Sequence, residues 1–184
     1  MAAVYHAVPS AMVGTVLYPL NELAHVSGDA YELQRAKYAG RPGVLEARIT
    51  AAGLLFNDAI HCSPIHPHRL YLVRRRMGLL PPAPAPSEKA HWMPGLFFEI
   101  PVDRIENHPA YWYRWITPWV NGYPGADVAT TPPLDEFEPF DVARYRELVE
   151  VPQAHTAYLR QVQREGKKPL AFVHIPHVLV AHPI

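Results

Sequence analysis

Proline is the first constraint on what this chain can fold into. There are 21 prolines among its 184 residues, and each fixes φ and removes a backbone donor, so neither a helix interior nor a central strand accepts one readily. Prolines this dense leave room only for short elements joined by stiff turns. That argues against a bundle of long helices and for an α+β fold. The length is that of one domain with a proper core. The expectation is therefore a single compact domain over residues 1–184, with a short-stranded central sheet, peripheral helices and long proline-rich loops.

Composition narrows the function classes. A hydrophobic share of 49% and a charged share of 18% describe a globular chain rather than a disordered one. The formal net charge is zero, so the basic excess of a duplex-binding protein is missing, with Arg74 to Arg76 as a local exception. Cys62 is the lone cysteine, which excludes an internal disulfide framework. The first twenty residues lack a basic leader and are broken by Pro9 and Pro19. With no run of about 20 apolar residues anywhere, the expectation is a cytoplasmic chain with no membrane partner.

Periodicity and punctuation place the elements. Residues 3–8 read as a strand containing His6, and residues 20–25 as a short helix. Asp29 is the expected cap of a helix over 30–38, closed by Gly40 and Pro42. Residues 44–55 are ambiguous between helix and strand. Residues 79–91 form a proline strap, and residues 96–100 read as a strand with Glu99 facing away from Phe98 and Ile100. An aromatic stretch over 111–119 suits a doubly buried strand or a cleft wall, and 121–139 suits a long binding loop. Asp141 and Pro152 each open a helix, the second carrying Ala154, Tyr158 and Val162 in register. Two strands are expected at the end, over 170–175 and 178–181.

Residues 54–77 (LLFNDAIHCSPIHPHRLYLVRRRM) concentrate the unusual chemistry. An apolar strand passes through Asn57 and Asp58 into a turn holding His61, Cys62, Ser63, His66 and His68. Pro67 suits the first position of a following helix, with Leu70, Val73 and Met77 on one face and Arg74 to Arg76 at its negative end. Such a strand, turn and helix N-terminus receives anions. His61, His66 and His68 could instead hold zinc or iron, although no H-E-x-x-H spacing supports it. Cys62 beside these imidazoles is a conceivable nucleophile, and Ser63 a weaker one. A third arrangement gathers His6, the turn from Asn57 to His68, the aromatic stretch and a carboxylate around one cleft. That supplies what a dinucleotide needs: donors for ribose, a helix end for pyrophosphate and an aromatic face.

The pattern N-D-x-[hydrophobic]-x-x-S-P-x-x-P-x-x-[hydrophobic]-Y, running from Asn57 to Tyr71, resembles a motif of the DarT-type ADP-ribosyltransferases. Tyr5-His6 likewise resembles the opening strand of that superfamily. The resemblance implies NAD as substrate and no metal, with cleavage of the nicotinamide–ribose bond and transfer of ADP-ribose to a nucleic-acid or protein acceptor. It implies that His6, Asn57, Asp58, Ser63, His66, His68 and Tyr71 bind the nucleotide, with His61 and Glu99 catalytic. The late strand that carries the family's glutamate matches residues 170–173, which hold no acid, so either Glu99 or Glu150 takes that role or the chain binds a nucleotide without transferring anything. Two other expectations remain open: a histidine-dependent metal protein or hydrolase, and a non-enzymatic interaction module with an aromatic, proline-rich surface.

Overall fold

A computed structural model describes residues 2–9, 11–39, 45–49, 52–80, 96–114, 137–166 and 173–184. The proline strap beyond Leu80, the aromatic stretch beyond Arg114 and the loop up to Glu136 lie outside the described residues. The chain forms a single α+β domain, as its punctuation requires.

Its centre is an antiparallel sheet of four strands in the order β4-β8-β6-β7, where β4 is Ile60–Cys62, β6 Ala110–Arg114, β7 Phe137–Pro139 and β8 Pro176–Val180. Strand β8 lies between strands that are distant in sequence, and Val178, Leu179 and Val180 are fully buried. Alternation sends Val178 and Val180 into one apolar cluster with Val4, Ile60 and Cys62. Leu179 enters another with Ile49, Phe56 and Tyr113. Each such side chain contributes roughly 1.5–3 kcal/mol on burial, so β8 is the strand that unites the core.

Strands β1 (Ala3–Ala7) and β5 (Phe97–Pro101) form a separate antiparallel pair, with Tyr5 opposite Glu99 and His6 opposite Phe98. This pair joins the main sheet where Tyr5 and Ser63 exchange backbone hydrogen bonds of 2.8 Å in both directions. On the same edge of β1 as the Ser63 bridge, the Tyr145 hydroxyl accepts from the Ala3 N–H at 3.0 Å and also bonds to the Ala3 carbonyl. The ambiguous stretch is helical at Leu45 and Glu46 and then forms a minimal hairpin, β2 (Arg48–Ile49) with β3 (Leu54–Leu55). Gly53 supplies the positive φ of +67° that its turn requires.

Helices α1 (Leu20–Val26) and α2 (Gly28–Arg35) form a hairpin, continued by a 3₁₀ turn at Ala36–Tyr38. Its cap corrects the sequence expectation. Ser27 Oγ accepts from the Ala30 N–H, and Asp29 lies inside the first turn, since the chain bends one residue after α1 ends and puts Ser27 in the extended conformation a cap needs. Helix α3 (Pro67–Arg76) opens at Pro67 as expected, with His66 as its cap. Its buried stripe is Pro67, Leu70 and Arg74 rather than Leu70, Val73 and Met77, so Arg74 is packed inside at 2% exposure instead of closing the helix in solvent.

Asp141 caps only a 3₁₀ turn, Val142–Arg144, ahead of the short helix α4 (Tyr145–Leu148). Helix α5 (Gln153–Arg164) follows Pro152, but its buried stripe is His155, Leu159 and Val162, leaving Ala154 exposed. The expected penultimate strand is also corrected. Residues 170–172 are outside the description, and Val173 and His174 form a turn, with His174 at φ 60°. The final strand starts two residues early because Pro176, which donates nothing, is tolerated as a first strand residue. No helix among the described residues is long and apolar enough to cross a membrane.

Candidate functional site

The backbone of β1 and β4 divides the predicted site residues between two places. The first is a cavity of about 140 Å³, partly open to solvent, between these strands and the α1–α2 hairpin. His6, Asn57 and His61 line it, together with Gln34 and Lys37 from the hairpin. Apolar walls come from Met12, Leu17 and Leu23. Such a volume is about that of four or five waters. It holds one polar group of a ligand rather than a whole dinucleotide, for which several hundred Å³ are usual.

The imidazoles here are fixed by backbone carbonyls. His6 Nδ1 lies 2.8 Å from the His61 carbonyl oxygen, and His61 Nε2 lies 2.8 Å from that of Phe56. A carbonyl only accepts, so the proton sits on Nδ1 of His6 and on Nε2 of His61, leaving the other nitrogen of each neutral ring as an acceptor. Burial outweighs these bonds: it lowers the His6 pKa and holds His61 down at about 4. Behind them His177 is pushed down to about 3, chiefly by burial, with His61 adding to the effect. Both cavity imidazoles are therefore neutral at pH 7 and suit hydrogen bonding rather than charge pairing.

Asn57 is 1% exposed and belongs to the 3₁₀ turn Phe56–Asp58 that leads into β4. Its neighbour Asp58 is occupied structurally. One oxygen accepts from Asn21 Nδ2 at 2.6 Å and the other from the Leu55 N–H at 2.7 Å, tying the turn to α1. Among the described residues no carboxylate lines the cavity.

The second place is the turn before α3, where His66 and His68 are exposed. His66 Nδ1 accepts from the His68 N–H at 3.1 Å, the bond of a helix cap, and its ring stands 4.8 Å from that of Tyr5. His68 stacks on Tyr71 at 5.8 Å. Ser63 Oγ accepts from the Ile65 N–H at 3.1 Å and donates to its carbonyl at 3.2 Å, holding the turn. Glu99 is exposed and, being paired with Tyr5, projects from the face of β1–β5 opposite to His6. Burial first, then Glu99 and Tyr145, raise the Tyr5 phenol pKa, with Arg69 opposing them. Glu150 pairs with Arg69 on the same exposed side.

The single cleft expected from sequence is thus only partly assembled. His6, Asn57 and His61 come together. Ser63, His66, His68, Tyr71 and Glu99 do not join them, because successive strand residues point to opposite faces and His66 and His68 are spent on opening α3. His61, His66 and His68 likewise fail to converge, and among the described residues no three His, Cys, Asp or Glu side chains are grouped for a metal. Cys62 is 1% exposed and its thiol is pushed up to about 12 by burial, which makes it a core residue and not a nucleophile.

Sequence reasoning missed Gln34 and Lys37. Gln34 is 8% exposed, and its signal was a polar residue four positions after the buried Ala30, on the inward face of α2. Together the fold and the cavity define an α+β domain with a small histidine-walled pocket. No family model matches the chain, and no curated protein or solved structure matches it either.

Proposed function

We propose that the protein binds NAD at the His6–His61 cavity as an ADP-ribosyltransferase-like enzyme, with a nucleic-acid or protein acceptor. The observation that carries this reading is the meeting of β1 with β4: the His6 ring donates to the His61 carbonyl, and both residues share one cavity with Asn57. Neutral imidazoles, an amide and apolar walls are groups that orient a nucleotide by hydrogen bonds. Because the cavity is small, the rest of the dinucleotide would lie across its mouth.

Transfer makes a further demand. Loss of nicotinamide leaves an oxocarbenium-like ribose, and a nearby carboxylate would stabilise that charge and take the acceptor's proton. Glu99 projects from the other face, so this reading assigns it no part in the cavity. Binding is accordingly the half that the geometry supports further.

Calorimetric titration with NAD, alongside nicotinamide release, tests both halves. We expect NAD to bind the wild type, His6→Ala to weaken it at least tenfold with the fold kept by circular dichroism, and Glu99→Gln to change neither binding nor release. Binding without release would reduce the function to nucleotide recognition. Absence of any NAD binding by the wild type would sink the reading.

A further inference from the structure

One residue of the cavity wall carries a buried polar atom with no hydrogen-bond partner among the described residues. Gln34 Nε2 is shielded from solvent and meets no hydrogen-bond acceptor among the described residues, although Gln34 lines the cavity. A buried amide left unpaired is costly, and native proteins keep few of them. One turn further along, Lys37 also lines the cavity. Residues three apart at the end of a helix share a face, so both reach the same space. Lys37 is an exposed residue, yet partial burial of its ammonium lowers its pKa.

We propose that Gln34 and Lys37 form a subsite for an anionic phosphoryl group, in which the Gln34 amide donates from the wall and the Lys37 ammonium donates from the rim. This deepens the NAD reading and rests on it for the identity of the ligand, because the dinucleotide then enters by its pyrophosphate. The assignment differs from the one the sequence suggested, where the start of α3 was to receive that group. The structure spends that helix end on the His66 cap and sets it beside Tyr5 on the exposed turn. A volume of about 140 Å³ suits a group of this size.

The test titrates inorganic pyrophosphate, ADP-ribose, NAD and nicotinamide into the wild type and into Gln34→Leu, Gln34→Met and Lys37→Met. The subsite predicts that pyrophosphate and ADP-ribose bind the wild type and weaken at least tenfold in every variant, while nicotinamide binding is unchanged. It also predicts that ligand-free Gln34→Leu and Gln34→Met melt at or above the wild-type temperature, since an unpaired amide has been removed. A sharp drop in both melting points would make Gln34 structural and overturn the proposal. Equal binding of ADP-ribose by wild type and variants would overturn it too, with NAD recognition intact. If pyrophosphate binds through Gln34 while NAD does not bind at all, the subsite stands and the NAD reading falls. A wild type that binds neither pyrophosphate nor ADP-ribose removes the subsite.

Discussion

The cavity and the exposed turn are built from neighbouring residues yet have opposite chemistry. His61 and His66 are five positions apart in the chain. One ring lies in a desolvated wall bonded to the Phe56 carbonyl, and the other caps a helix in solvent. What separates them is backbone geometry: β4 alternates its faces, then Pro64 and Pro67 turn the chain into α3. A cluster of like residues in a sequence is therefore a shared site only if the backbone between them keeps them on one face.

The sharpest way to break this comparison is acid. His61, His155 and His177 have pKa values held down to about 4, about 4 and about 3 by burial. In the unfolded chain each would take a proton near pH 6.5, which the folded chain refuses. Stability is then complete above pH 6.5 and is lost as the pH falls toward 4, with a slope of at most about 1.4 kcal/mol per pH unit for each histidine. Urea midpoints between pH 7 and 5, where most carboxylates are still ionised, should fall steadily. A flat profile would mean that the walls around these rings are wetter than described.

Substitution sharpens the contrast at a smaller scale. His61→Ala removes a half-buried ring that packs 4.1 Å from Phe56 and leaves a carbonyl unpaired. We expect a loss of roughly 2–4 kcal/mol in chemical denaturation, with a shallower acid slope. His66→Ala should cost only about 1 kcal/mol, the usual worth of a helix cap. Arg69→Ala, which breaks the exposed pair with Glu150, should cost about 0–1 kcal/mol and respond to salt. If His66→Ala proved as damaging as His61→Ala, the turn would be part of the core and the division into two regions would be wrong.

Much of the fold was legible. Pro67 opening α3, the strand around His6, the strand before Pro101 and the α+β class all follow from local rules that proline and alternation enforce. Long-range pairing was not legible: nothing local says that the last strand inserts between β4 and β6. For the same reason Arg74 reads as a solvent-side helix end until α3 is seen against its neighbours. At the candidate site, the meeting of His6 with His61 was anticipated from composition and resemblance. The exclusion of Glu99 was fixed by its register against Tyr5, and Gln34 looked like an ordinary helix-surface glutamine.

The Tyr145 hydroxyl, bonded to both backbone groups of Ala3, stands in for a missing strand along the rim of β1. It arrives 142 residues after the peptide it protects, so in a chain emerging from the ribosome the Ala3 N–H and carbonyl stay open even after Ser63 has bonded Tyr5. Unpaired rims of that kind recruit foreign strands. A phenol placed this late makes the last seal on that edge wait for the α4 segment, and Tyr145→Phe would leave the Ala3 N–H and carbonyl without it.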